Sequence, residues 1–204
     1  MSRDILVVKR DTLFKEKQFN GFCPISEYDF SKLIQENLEY QHRDDALETN
    51  PEFQQIIPYV WLVNKKTKQA FLYKRSKGGD EDRLHNKYSG GVGGHIDRDT
   101  DESAQDPLTA AMMRELEEEV TMQNYPVPKF VGFLNDDNDP VGKVHFGVVA
   151  IAETQEQVSP AMHMSSGQFY PVEEIEKIFN NKENTIESWT QLSWPFVKDY
   201  LEKN

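Results

Sequence analysis

Arg114-Glu115-Leu116-Glu117-Glu118-Glu119-Val120 packs four carboxylates and an arginine into two helical turns. On a helix Glu115, Glu118 and Glu119 stand at i, i+3 and i+4, so their side chains converge on one patch. Like charges at that spacing destabilise an isolated helix by roughly 0.2–0.5 kcal/mol per pair. Such a patch is either a solvated acidic face or a seat for a divalent cation, which prefers carboxylate oxygens. Upstream, Ser89-Gly90-Gly91-Val92-Gly93-Gly94-His95-Ile96 holds four glycines in five residues. That composition fits either a flexible turn or a backbone that comes close to a ligand and adopts positive φ.

The acidic patch needs a helix, and the sequence supplies one. Leu108, Met112, Leu116 and Val120 recur every four residues, an apolar ridge for docking onto a core. Glu115 and Glu119 lie beside that ridge, at the edge of the buried face, where a bare carboxylate is costly and a hard cation useful. Asp106 is a good N-cap and Pro107 suits the first turn. The carboxylates fall in the later turns, away from the N-terminal end where the helix dipole would stabilise them.

Taken together, Gly94 to Met122 resembles a Nudix box, the pattern G-x5-E-x7-R-E-U-x-E-E-x-G-U with U aliphatic. Arg114, Glu115, Leu116, Glu118 and Glu119 match its R-E-U-x-E-E portion in register, and Gly93-Gly94 match the opening glycines. Three positions depart from it. Arg114 follows Gly94 by 20 positions (114 − 94) where the pattern has 14, which implies about six inserted residues within Asp97–Gln105. Asp106 stands where the pattern has its first glutamate, and Thr121 where it has its last glycine.

The resemblance covers roughly Pro51 to Asn204. It implies an α/β fold, a Nudix-type α/β/α sandwich with a mixed sheet, preceded by an α+β extension over residues 1–50. It further implies Mg²⁺- or Mn²⁺-dependent hydrolysis of a pyrophosphate bond in a nucleoside diphosphate linked to another group. By resemblance Glu118 and Glu119 are metal ligands, with a backbone carbonyl near Gly94. Glu115 is a ligand or the general base, oriented by Arg114. Arg75 and Arg83 are candidates for phosphate contact, and Gly93 and His95 for the substrate-facing loop. A base from a later loop leaves Asp136, Asp137 and Glu153 as weaker candidates. Two other readings stay open: a noncatalytic Nudix-fold sensor or regulator binding a nucleotide-like ligand, and an acidic helix that serves only as a protein-interaction surface.

The remaining elements are read from local pattern. Ile56–Val63 and Ala70–Arg75 read as a hairpin around Asn64–Lys68, and Pro128–Leu134 and Val144–Ala152 as two further strands. The aspartate-rich loop Asn135–Gly142 lacks the spacing of a calcium loop and reads as a polar connection. His145, inside a strand, reads as a hydrogen-bonded structural histidine. Helices are expected over Val172–Phe179 and Thr185–Leu201, the second with Trp189, Leu192, Phe196 and Tyr200 as its core stripe and Pro195 as a kink. Near the N-terminus, Ile5–Val8 reads as a strand that pairs with Leu13-Phe14, and Ser26 to about Glu39 as a helix. Gln41–Pro51 is polar and irregular. The extension packs on the core, builds a homodimer or covers the substrate, alternatives the sequence leaves open.

Composition narrows the function classes. A net charge of −12 argues against nonspecific binding to nucleic acid polymers or anionic membranes. It leaves room for a small phosphorylated substrate, because a bound divalent cation inverts the local field. The single Cys23 excludes an intramolecular disulfide framework and fits a reducing cytoplasm. No apolar run approaches the roughly 20 residues of a membrane span.

Overall fold

The computed structural model describes residues 3–75, 87–102, 104–161 and 164–203. The chain begins with β1 (Asp4–Lys9), α1 (Arg10–Leu13), β2 (Gly21–Pro24), α2 (Ser31–Asn37) and β3 (Glu39–His42). It continues through β4 (Phe53–Asn64), β5 (Gln69–Arg75), β6 (Tyr88–Ser89), β7 (Gly91–Val92), α3 (Arg98–Asp101) and α4 (Pro107–Glu119). The last part comprises β8 (Val120–Thr121), β9 (Lys129–Asn135), β10 (His145–Glu153), β11 (Ser159–Pro160), β12 (Met164–Pro171), α5 (Val172–Asn180) and α6 (Ser188–Glu202). Two compact units form: Met1–Tyr59 with Gly93–Met112 and Phe130–Ala150, and Val60–Val92 with Met113–Lys129 and Ile151–Asn204.

In the first unit the strand order is β4–β10–β9–β2, and β1 pairs antiparallel with both β3 and β4. The first fifty residues thus supply strands β1, β2 and β3, with β2 laid antiparallel on β9. Leu13 and Phe14 do not pair with β1, because its hydrogen-bonding edges are taken by β3 and β4. Leu13 instead ends α1, and both side chains turn into the core. Phe14, Phe19, Phe30, Phe133 and Phe146 make one aromatic cluster, with Phe30 ring centroids 6.4, 5.5, 5.1 and 5.3 Å from the other four in that order. The expected helix from Ser26 is shorter and later. The amides of Glu27 and Tyr28 close a turn on the Pro24 carbonyl, and α2 starts at Ser31, whose N–H is capped by Asp29 Oδ1.

The second unit contains the order β12–β5–β4, with β6 on β5 and β7 on β4. The β4–β5 hairpin forms as its sequence implies. Asn64 Oδ1 accepts the Thr67 N–H at 3.2 Å, and Lys68 takes the left-handed φ of 53° that closes the turn. Helix α6 begins at Ser188, three residues later than expected, and presents a different face to the core. Thr190, Ser193, Trp194, Val197 and Leu201 are buried, whereas Trp189, Leu192, Phe196 and Tyr200 are half-buried. Hydrogen bonding decides that choice. The fully buried Trp61 donates its indole N–H to Ser193 Oγ at 3.0 Å, and Thr190 Oγ1 accepts the Gly90 N–H at 2.9 Å. A buried indole or amide without a partner costs more than a few methylenes gain.

Candidate active site

Helix α4 forms as the ridge and the cap dictate. Leu108, Met112, Leu116 and Val120 are all buried. Asp106 Oδ1 accepts the Leu108 N–H at 3.2 Å, and its Oδ2 accepts the Thr109 hydroxyl at 2.6 Å. The carboxylate that replaces the pattern's first glutamate is therefore engaged as a cap. The inserted residues upstream are partly helical as α3, whose Asp101 Oδ2 accepts the Asp97 N–H at 2.9 Å.

Within the second unit the later turns of α4 bring the acidic residues together. Glu115 is only 6% exposed, Glu119 is half-buried, and Glu117 and Glu118 are exposed. Arg114 Nη1 donates to Glu115 Oε1 at 2.7 Å and to Glu118 Oε2 at 3.2 Å, so one guanidinium spans two carboxylates. Burial pushes the Glu115 carboxyl up to about 7; Arg114 opposes the rise, and Glu118 and Glu119 add to it. Among the described residues no three His, Cys, Asp or Glu side chains form a ready-made metal cage. The donor set still suits a hard cation. Arg114 takes one oxygen from each of Glu115 and Glu118, and a carboxylate has two oxygens and about four lone-pair sites.

Glu115 makes stability depend on pH. Between its ordinary value of 4.5 and about 7 the folded chain holds a proton that the unfolded chain has released. Raising the pH through that window therefore withdraws stability. In buffer free of divalent ions the melting temperature of the unaltered chain is expected to fall more steeply there than that of Glu115→Gln. Parallel slopes in a calorimetric pH series would refute the assignment.

The glycine loop belongs to the two units by halves. In the second unit Gly91–Val92 forms β7 on β4, and Gly90 leaves room for Trp61, since a Cβ there would sit 2.1 Å from the indole ring. In the first unit a Cβ on Gly93 would lie 1.7 Å from the Pro58 carbonyl oxygen. The expectation of positive φ in this loop is not met: among the described residues the positive-φ glycine is Gly21. These glycines serve close packing against β4 (Gly90 on Trp61, Gly93 on Pro58).

His95 is buried, with Nε2 2.7 Å from Gln55 Oε1. Burial, then the positive charges of Arg43, His145 and Arg3, lower its pKa well below the usual imidazole value. Gln55 is fully buried and its Nε2 has no partner, which costs about 1–3 kcal/mol. Reading residues one at a time could not pair His95 with a strand forty positions earlier. The cue was two adjacent glutamines, Gln54-Gln55, at the head of an apolar strand. His145 is a structural histidine as expected, its Nδ1 2.7 Å from the Val141 carbonyl.

The weaker base candidates are otherwise occupied. Asp137 Oδ1 accepts from Arg10 at 2.7 Å, Asp136 is buried, and Glu153 accepts the Tyr200 hydroxyl. Arg75 ends β5, while its side chain and the whole of Arg83 lie outside the described residues. A cavity of about 460 Å³ in the second unit is lined by Lys65, Lys66, Tyr125, Glu153 and Glu156 among others, and by no residue of α4.

A mixed α/β sheet with a glycine loop and an Arg-Glu-Leu-x-Glu-Glu helix defines a Nudix-type fold. The NUDIX domain profile matches residues 54–192, and the chain belongs to that family. The family reaction is hydrolysis of nucleoside diphosphates linked to other groups, and membership supports that general class of activity. Along 99% of its length the chain is 35% identical to protein YmaB of Bacillus subtilis strain 168, covering 98% of that relative. Its fold is similar to the crystal structure of Tm1382, a protein placed among the Nudix hydrolases. The TM-score is 0.78 at 24% identity, with 97% of this chain and 99% of that one covered. A more distant likeness joins it to a bifunctional NMN adenylyltransferase/ADP ribose pyrophosphatase from Francisella tularensis, complexed with AMP and a manganese ion. There the TM-score is 0.51 at 10% identity, covering 72% of this chain and 42% of that one.

Proposed function

We propose that this protein hydrolyses a pyrophosphate bond in a nucleoside diphosphate linked to another group, with Mg²⁺ or Mn²⁺ as cofactor. The observation that carries the reading is Glu115. It is a buried carboxylate with Glu118 and Glu119 one turn away, and the Arg114 guanidinium spans Glu115 and Glu118. Glu115, Glu118 and Glu119 would hold the ion. When bound, the ion supplies charge neutralisation at the diphosphate and a water acidified for in-line attack on phosphorus. Arg114 keeps Glu115 oriented and shares Glu118. Glu115 acts as a ligand or takes the proton of the attacking water, a role that its raised pKa suits near neutral pH. Arg75 and Arg83 are our candidates for the phosphate further from the ion.

We place the protein in the cytoplasm, where its one, buried cysteine stays reduced. Among the described residues no helix is long and apolar enough to cross a membrane. The decisive assay incubates the purified full chain with a panel of nucleoside diphosphate derivatives, with and without Mg²⁺ or Mn²⁺. Cleavage that requires the ion and stops on adding a chelator is expected. Binding of a panel member without turnover would replace this reading with the noncatalytic sensor. Specific calorimetric heats for Mn²⁺ are expected too; their absence would return the helix to a mere interaction surface.

A further inference from the structure

We propose that Glu156 is a positioning residue for the acidic end of α4: it braces the Gln123-Asn124 turn, and through it the last helical turn that carries Glu118 and Glu119. The inference rests on the functional reading for what those glutamates bind, and every contact behind it lies within the second unit.

The last turn of α4 is weak by its own composition. Glu117, Glu118 and Glu119 follow one another at its C-terminal end, and no basic residue stands in that turn. Negative charge opposes the helix dipole there, and the final carbonyls have no intrahelical partner. Such an end frays unless another segment holds it.

The holding segment is residues 156–161, which run antiparallel to residues 119–124. The Ala161 N–H donates to the Glu119 carbonyl at 2.9 Å. Pro160 and Ser159 pair with Val120 and Thr121 as β11 on β8. Val158 and Met122 are both buried. Carried on in the same register, the pairing brings Glu156 opposite Asn124, and there the brace closes. Glu156 Oε2 accepts the backbone N–H groups of Gln123 and Asn124, both at 2.9 Å, and Oε1 accepts Asn124 Nδ2 at 2.6 Å. These donors, the Asn124 side chain first, hold the carboxyl below its ordinary value. The Tyr125 hydroxyl then turns back to the Val120 carbonyl at 2.9 Å. Glu156 is itself fixed: its N–H donates to Thr154 Oγ1 at 3.0 Å, and the Thr154 N–H donates to the Val63 carbonyl at 2.9 Å. A line of hydrogen bonds thus runs from strand β4 to the end of the acidic helix. The same brace accounts for Thr121, where the Nudix pattern has glycine. Helix α4 passes straight into β8, and a β-branched residue suits a strand.

The test compares Glu156→Ala, Glu156→Gln and Asn124→Ala with the wild-type chain. It reads amide hydrogen exchange along α4 and β8, and Mn²⁺ affinity by calorimetry. Glu156→Ala removes the carboxylate and all of its bonds. It is expected to lose exchange protection at residues 118–121 and to bind Mn²⁺ roughly tenfold or more weakly, as when groups that orient metal ligands are removed. Glu156→Gln keeps an oxygen for the two backbone N–H groups, and Asn124 can turn its amide oxygen to the new NH₂. It should retain most of both properties. Since both substitutions remove the same charge, the pair separates position from electrostatics. Asn124→Ala keeps the charge, loses one bond and should fall between them. Wild-type protection or wild-type affinity in Glu156→Ala would overturn this inference alone. An equal loss of affinity in Glu156→Gln would also overturn it, by assigning the effect to charge. Should Glu156→Ala fail to fold, Asn124→Ala decides in its place, and unchanged protection and affinity there would be fatal. A wild-type chain that binds no Mn²⁺ would overturn the functional reading instead, and exchange alone would then decide the brace.

Discussion

Replacing Glu118 and Glu119 together by glutamine is expected to lower Mg²⁺-dependent turnover by roughly 10²–10⁴-fold while leaving the fold intact. Glutamine keeps the shape and one oxygen of each side chain but removes the charge that binds a hard cation. Stability should barely move. The Glu118 side chain is 59% exposed, and its ion pair with Arg114 at i,i+4 is worth about 0.3–0.5 kcal/mol at most. Relief of the repulsion between Glu115 and Glu119 offsets a similar amount. Activity and melting temperature therefore separate cleanly in this variant. Turnover equal to that of the unaltered chain would remove these glutamates from the metal site and the hydrolase reading with them.

The largest effect on stability is expected from Phe30→Ala, at about 3–5 kcal/mol. Phe30 is fully buried and meets Phe14, Phe19, Tyr28, Phe133 and Phe146 with ring centroids between 4.6 and 6.4 Å away. Truncation would leave a cavity walled by rings from separate chain segments, which cannot all move in to fill it. For a chain of this length the loss corresponds to a fall in melting temperature of roughly 10 °C, readable by calorimetry. A shift of less than roughly 2 °C would mean that the cluster does not hold the first unit together. Phe14, Phe19 and Phe30 all come from the first fifty residues, whereas the NUDIX profile begins at residue 54. We propose that this extension is a structural part of the fold, and that removing it would expose Phe133 and Phe146.

Much of α4 was legible in the sequence because its signals are local. A cap at Asp106, a proline at the first position and an apolar residue every fourth place decide a helix and its buried face within fourteen residues. The same holds for the hairpin at Asn64–Lys68 and for strands β9 and β10, where turn residues bound apolar runs. Where the reading failed, the deciding partner lay far along the chain. Leu13 and Phe14 have strand composition, but β3 and β4 had already filled the edges of β1. In α6 hydropathy favoured Leu192 and Phe196, yet Ser193 and Thr190 face inward because an indole 132 positions away and an amide 100 positions away need acceptors.

The sequence by itself therefore determined the acidic register of α4, the cap that starts it and the Nudix-type order of strand pair, glycine loop and helix. Each depends on residues within a turn or two of one another, where backbone geometry fixes which side chains meet. Only the tertiary structure decided how deeply Glu115 is buried, that Gly90 and Gly93 make room for Trp61 and Pro58, and that His95 answers to Gln55. Burial and hydrogen-bond partnership are set by which distant segments pack together, and no local periodicity encodes that choice.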